Sequence, residues 1–368
     1  MKVFCNQKEL LNALNIVSKA VSQNVVLPVL NNILIKTEGK EMFFAATNLE
    51  IAIKYHLQTD VRNEGSMTVP AKLFTNYISL LPDEKVELSV LDNLTLAIKS
   101  SSSQTKIKGI HADEFPLIPK TEKDHTLSIP AKELEKALNQ VVFSASLNTS
   151  RPVLSGVYFL FDKDALKLVA TDSYRLSERK ISTKKDKDAA RVECIVPART
   201  AFELSKLLSK STGDVDITIS KNQILFAIGA IELTSRLIEG KFPDYERIIP
   251  KTSKTKILTS TSDLELAMKR VSLFAKEDSN SVKISVTNDG KMMISTEETK
   301  VGEEKAEISV TIEGENNKIA FNAQYLLDVL PVLGEDKVCL EINDKLSPVV
   351  VRPQKNADYT YIIMPLKI

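Results

Sequence analysis

A strand-like run that ends in Pro-Ala or Asn-Ala and opens an amphipathic stretch occurs three times. The copies are Val69-Pro70-Ala71-Lys72-Leu73-Phe74, Val196-Pro197-Ala198-Arg199 and Phe321-Asn322-Ala323-Gln324. Ala71, Ala198 and Ala323 stand 127 and 125 residues apart, a period far longer than that of a solenoid repeat. Proline suits such a helix start, because its missing N–H has no intrahelical partner there. A second landmark precedes each copy. Leu10, Leu14, Val17 and Val21 form an apolar stripe at helical spacing, as do Leu134, Leu138, Val141 and Ala145, and Leu264, Met268, Val271 and Ala275. Ser262 or Asp263 is the expected N-cap of the third stripe. Strand-like runs follow each stripe: Asn32–Lys36 and Met42–Ala46, Gly156–Leu160 and Leu166–Ala170, Val282–Val286 and Lys291–Ser295. Pro-containing segments, Glu114–Pro119 and Lys241–Pro250, close the first two copies. The expectation is three α+β units of two helices and several strands each, cut at 1–120, 121–250 and 251–368.

The 368 residues fit two or three domains. With 43% hydrophobic and 26% charged residues the composition is globular. Lys+Arg number 49 and Asp+Glu 48, giving a net charge of +1. A uniformly basic nucleic-acid coat protein is excluded, whereas a locally basic surface is not. The longest apolar runs, such as Val25–Leu30 and Tyr361–Leu366, are far too short for a membrane span of about 20 residues. The N-terminus has no signal core, and the chain reads as cytosolic without membrane association.

The closest pair among the eleven glycines is Gly229 and Gly240. A phosphate-cradling loop needs several glycines within a few residues, so the P-loop, the dinucleotide fingerprint and the GxSxG elbow are all absent. Cys5, Cys194 and Cys339 form no CxxC, and His56, His111 and His125 lack metal-ligand spacing. No metal or cofactor is expected. Ser100–Ser103 reads as a hairpin turn rather than a nucleophile. Scattered Asp172, Arg175 and Tyr245 are the best that a hydrolase or transferase reading can offer, and no catalytic motif frames them.

Five segments carry a resemblance along the whole chain: Leu27–Ile33 (LPVLNNI), Ala46–Glu50 (ATNLE), Thr171–Leu176 (TDSYRL), Gly240–Tyr245 (GKFPDY) and the C-terminal Met364–Ile368 (MPLKI). Together, on a threefold repeat, they resemble the bacterial sliding clamp, the β subunit of DNA polymerase III. The resemblance implies three clamp domains per chain, each with two helices on antiparallel sheets. It implies closure as a head-to-tail homodimeric ring with helices lining the hole. It also implies a non-catalytic processivity factor, cytoplasmic and nucleoid-associated, that encircles double-stranded DNA without sequence preference. Replicative and repair polymerases and the clamp loader are the implied protein partners. The alternative is a tandem-domain interaction scaffold that never encircles DNA.

By position, the resemblance places a hydrophobic peptide pocket at Leu154, Thr171, Ser173, Tyr174, Arg175, Leu176, Pro243, Arg247, Ile248, Leu346, Ile362, Met364 and Pro365. Leu154, Leu176 and Ile362 read equally as plain core. The family commonly has Gly-His where Ser173-Tyr174 stand, and Arg-Leu where Lys367-Ile368 stand, so peptide preference is expected to differ at that edge. DNA contacts map to Asn24, Lys72, Asn148, Arg151, Pro152, Val153, Arg199 and Lys283. The family often has Arg at the first of these and aromatic residues late in the loop, so Asn24, Pro152 and Val153 imply a weakened contact. The polar helix faces, including Lys8, Asn12, Lys19, Lys132, Lys136, Gln140, Lys206, Lys210 and Lys269, read either as ordinary solvated surface or as a dilute DNA lining. Ring closure maps to Ile107, Leu273 and Phe274, the last reading equally as core of its own unit.

Overall fold

The computed structural model describes residues 1–22, 27–118, 125–148, 150–162, 164–183, 191–276, 279–298 and 302–366. Asn24, the Lys184–Asp188 loop and Lys367-Ile368 lie outside them. Six α-helices occur among the described residues: α1 (Gln7–Val17), α2 (Ala71–Ser79), α3 (Ala131–Val141), α4 (Ala198–Leu208), α5 (Thr261–Ala275) and α6 (Ala323–Val329). Two fall in each expected repeat, each preceded and followed by strands.

Local chemistry sets the helix starts. The Asn6 side chain accepts from the Lys8 N–H at the head of α1, and Asn322 accepts from Gln324 at the head of α6. Ser260, not Ser262 or Asp263, caps α5 by accepting from the Asp263 N–H at 3.3 Å. The helix therefore starts one turn earlier than its apolar stripe alone indicates. The expected stripes are buried: Leu10, Leu14 and Val17 in α1, Leu134, Leu138 and Val141 in α3, Leu264, Met268 and Val271 in α5. Gln140 departs from the expected polar face. It is 1% exposed, donates to the Val332 carbonyl at 2.9 Å, and its own carbonyl accepts from the Tyr359 hydroxyl. It sits one position from the Val141 stripe and faces a neighbouring helix end rather than solvent.

The chain packs as two compact units, Met1–Lys132 with Lys206–Leu237, and Glu133–Ser205 with Ile238–Ile368. In the first, an eight-stranded antiparallel sheet runs His125–Pro130, Asp214–Ile219, Gln223–Ile228, Ile231–Arg236, Ile51–Gln58, Glu41–Thr47, Asn32–Glu38, Ser66–Pro70. A five-stranded sheet accompanies it, ending at the edge strand Gln104–Lys108. Ser100–Ser103 is the hairpin turn into that strand, closed by the Ser100 N–H donating to Ser103 O at 2.9 Å.

In the second unit, a nine-stranded sheet runs Val192–Pro197, Gly156–Asp162, Ala165–Thr171, Arg175–Ser182, Tyr359–Ile363, Val349–Pro353, Lys337–Ile342, Thr255–Ser260, Thr311–Gly314. A four-stranded sheet ends at the edge strand Lys305–Ser309. One rule links repeats in both units: Ile51–Gln58 pairs with Ile231–Arg236, and the equivalent Arg175–Ser182 pairs with Tyr359–Ile363. No described helix is long and apolar enough to cross a membrane.

Candidate functional site

The Thr171–Leu176 segment is first of all a turn. The Asp172 carboxylate accepts from the backbone N–H groups of Tyr174 and Arg175, at 2.9 and 3.0 Å, and the Thr171 hydroxyl donates to the Arg175 carbonyl. Ser173 takes a left-handed φ of 81°, which a short polar side chain tolerates better than a branched one. The same device recurs at Thr47–Ile51: Asn48 accepts from the Glu50 and Ile51 N–H groups, and Leu49 has φ 75°. The repeated Ala-Thr-Asx motif thus encodes an Asx turn. What differs is the cargo of the turn, because Arg175 stands where the first repeat has Ile51.

Arg175 is a structural hub. Its Nε donates to Asp172 at 3.0 Å, Nη1 donates to Asp328 of α6, and Nη2 donates to the Phe143 carbonyl at 2.8 Å. The guanidinium lies over the Tyr325 and Phe143 rings, at 4.9 and 5.5 Å from their centroids. Burial works against its charge, but Tyr361, Asp328 and Asp172 outweigh that and hold its pKa above the ordinary guanidinium value. With three of its five donors committed, Arg175 serves the join between second and third repeats more than it serves an incoming peptide. Phe143, Tyr325 and Asp328 belong to this site and were not read from the sequence. Asp328 reads from the sequence as a solvated helix-face carboxylate, and nothing local marks a partner 153 residues away.

Leu154, Leu176 and Ile362 come together in one apolar cluster with Tyr158, Val169, Phe242 and Tyr245. Leu176 and Ile362 are each 1% exposed and sit opposite one another across paired strands, so both are core. Above this floor, the turn presents Tyr174, whose carbonyl accepts from the Met364 N–H at 2.8 Å. Tyr174, Ile248 and Leu346 are exposed apolar side chains, Leu346 at 64%. Met364 and Pro365 are half-buried, Thr171 is buried, and Ser173 and Pro243 are exposed. Arg247 is exposed and pairs with Asp244 at 2.6 Å. Tyr245 donates to Glu178 at 2.6 Å, and burial first, then that carboxylate, raises its pKa. Asp172, Arg175 and Tyr245 therefore hold the fold together.

The expected DNA residues fall into different settings. Lys72 and Arg199 are exposed at the second positions of α2 and α4. Asn148, Arg151 and Pro152 are exposed in the loop that enters the short turn Pro152–Leu154. Arg151 donates to the Ser173 hydroxyl at 3.2 Å, which joins this loop to the Tyr174 turn. Val153 is half-buried on the apolar cluster. Lys283 projects from the strand Ser281–Thr287, not from a helix, and is ion-paired with Glu297. Ile107 is 4% exposed within its own repeat, Phe274 is half-buried, and Leu273 is 63% exposed.

Three family models match in order along the chain. The DNA polymerase III beta subunit N-terminal domain matches residues 1–119, the central domain 128–244 and the C-terminal domain 246–367. The chain belongs to the DNA polymerase III beta subunit family. Its function is that of a sliding clamp, the processivity factor of DNA replication. The beta sliding clamp of Staphylococcus epidermidis is 32% identical over 366 residues, covering 97% of each chain. That of Staphylococcus aureus is 31% identical over 363 residues, covering 96% of each. The DNA polymerase sliding clamp from Bacillus subtilis superposes with a TM-score of 0.96 at 30% identity, covering 100% of this chain and 99% of that one. A sliding clamp from Pseudomonas aeruginosa, solved bound to griselimycin, also gives 0.96, at 28% identity and full coverage of both. The clamp fold implied by the resemblance is therefore this chain's fold, and the scaffold alternative gains no support.

Proposed function

We propose that two copies of this clamp close head to tail around duplex DNA and hold it by topology, without catalysis. One observation carries the reading. At both internal joins the strand that follows a repeat's third strand pairs with the last strand of the next repeat. The strands of those two classes left over are Lys305–Ser309 and Gln104–Lys108, and both are sheet edges. An exposed edge is a template for pairing, and two unlike edges on one chain generate a closed ring when the rotation permits. Continuing the internal register sets Gln104 opposite Lys305 and Lys106 opposite Glu303.

The helix ends obey the same rule. Gln140 meets Val332 at an internal join, and the equivalent positions are Arg270 and Leu80. Leu80 is 84% exposed and Leu273 is 63% exposed, as partners awaiting cover are. Ile107 instead points inward, because the Lys106-Ile107-Lys108 alternation turns its middle residue to the core. Leu273→Asp is expected to convert the dimer to monomers in native mass spectrometry. A wild-type monomer, or a dimer indifferent to both Leu273→Asp and Leu80→Asp, contradicts the reading.

The helix faces suit loose threading. Lys8 pairs with Asp83 and Lys269 with Glu265, each at 2.6 Å, which dilutes the positive face. Non-specific phosphate contacts of this kind support Kd values of about 10⁻⁴–10⁻⁶ M and permit sliding. Tyr174, Ile248, Leu346, Met364 and Pro365 above the Leu154–Leu176–Ile362 floor form the docking trough for short peptides of polymerases, the clamp loader and repair proteins. The griselimycin complex of the Pseudomonas clamp supports a ligand trough in this fold. Tethering there raises the local concentration of a polymerase without new DNA contacts.

A further inference from the structure

Residues 240–248 form a strap across strands of the nine-stranded sheet, and its far end carries Ile248 to the proposed docking trough. Shape fixes its start: Gly240 takes φ 126°, and a Cβ there would come within 2.7 Å of the Val153 side chain. Phe242 then stacks on the Tyr158 ring, with centroids 4.9 Å apart and planes 10° from parallel. A cavity of about 330 Å³ follows, bordered by Leu160 and Lys167 of the sheet and by Asp244 and Glu246 of the strap. The strap is therefore not packed solid on the sheet, and polar ties share in placing it. Tyr245 donates to Glu178 at 2.6 Å, Lys167 donates to Glu246 at 3.3 Å, and Tyr158 donates to Glu193 at 2.5 Å.

Tyr245 is the tie that reaches the trough. Its hydroxyl is bound to Glu178, while its own carbonyl accepts from the Ile248 N–H at 3.1 Å. Glu178 stands two residues from Leu176 in the same strand, and so on the sheet face of that floor residue. One side chain thus sets Ile248 relative to the floor. The first repeat has no such tie among its described residues. Aligning Phe115-Pro116 with Phe242-Pro243 sets Ile118 against Tyr245, and counting from Ile51 and Arg175 sets Lys54 against Glu178. The matched strand pairs set Leu34 and Ser66 against Tyr158 and Glu193. Ile118 packs on the Val29, Ala45 and Phe115 cluster, and Lys54 lies over the Phe43 ring at 4.2 Å. Of the two segments, only the one that leads to the trough is tied to its sheet by a hydroxyl–carboxylate bond.

We propose that Tyr245 and Glu178 are a positioning pair for partner docking, which rests on the trough described under the proposed function. Their bond holds Ile248 at the height above Leu176 at which the trough accepts a peptide. Tyr245 is 6% exposed, so it acts through Ile248 and not on the peptide itself. A wall fixed before the partner arrives spares the cost of ordering it on binding.

The test is anisotropy of a labelled polymerase-derived peptide on the full-length clamp, with urea denaturation of each variant alongside. Tyr245→Phe and Glu178→Leu are each expected to weaken the peptide about fivefold to tenfold, through loss of one charge-assisted hydrogen bond. Glu178→Gln keeps an acceptor for the phenol and is expected to stay within about twofold of wild type. Tyr245→Phe/Glu178→Leu is expected to bind no more weakly than either single variant, because each removes the same bond. A purely structural role would lower the urea midpoint and leave peptide affinity at its wild-type value. That result, or losses that add in the double variant, overturns the proposal. Leu346→Ala/Met364→Ala in the same assay separates it from the trough. If that variant weakens the peptide and Tyr245→Phe does not, the positioning pair falls and the trough stands. If that variant too has no effect, the trough falls and the pair with it. Should Glu178→Leu fail to fold, Tyr245→Phe set against Glu178→Gln decides alone.

Discussion

Replacing Arg175 by alanine is expected to destabilise the second unit by about 3–5 kcal/mol. The substitution removes the guanidinium but leaves Asp172 and Asp328, largely out of solvent, with no cation between them. It also leaves the Phe143 carbonyl short of a donor and the Tyr325 face without its cation. Asp172 suffers least, since its other oxygen still accepts two backbone N–H groups of the turn. Asp328 keeps only the Gln324 amide at 2.7 Å among the bonds described for it. Removing both ends of that pair, as in Arg175→Met/Asp328→Leu, is expected to recover much of the loss, because an apolar pair carries no stranded charge. Urea denaturation of the three proteins measures both effects. A single-variant loss below about 1 kcal/mol would place Arg175 among exposed ion pairs of little worth.

Leu346→Ala combined with Met364→Ala is expected to weaken a polymerase-derived peptide by about 2–4 kcal/mol, roughly thirtyfold to a thousandfold, with the dimer intact. Both side chains belong to the proposed trough and neither is buried core, Leu346 being mostly exposed and Met364 half-buried. Methionine in such a place repacks around different partners at little cost. Leu176→Ala is a poorer probe. That residue lies in the floor, and truncating a buried leucine costs about 2–5 kcal/mol of stability whether or not a peptide ever binds. Fluorescence anisotropy with a labelled peptide, alongside native mass, separates the two outcomes. Unchanged peptide affinity in the double variant would move the docking surface elsewhere.

The repeat and its helices were legible because they follow local rules. Leu10, Leu134 and Leu264 each head an apolar stripe at helical spacing, and the Pro-Ala and Asn-Ala starts mark where strands give way to helices. Thr171–Leu176 stands out in the sequence only as a segment of the family resemblance; that it is an Asx turn, with two backbone N–H groups meeting Asp172, is seen only in three dimensions. Non-local chemistry was not legible. Gln140 reads as polar surface until its carbonyl and amide are seen to serve Tyr359 and Val332, some two hundred residues on. Asp328 and Phe143 acquire meaning only through Arg175. Ile107 fell on the wrong side of a strand for an exposed contact because a two-residue alternation decides its face.

Retention on closed circular DNA tests the threading of the duplex through the clamp most directly. After loading onto a nicked circle, the clamp is expected to remain bound through a wash at high salt and to leave when a restriction enzyme linearises the circle. Loss from the intact circle at the same rate as from the linear form would show that the protein grips DNA by contacts alone and forms no closed ring around it.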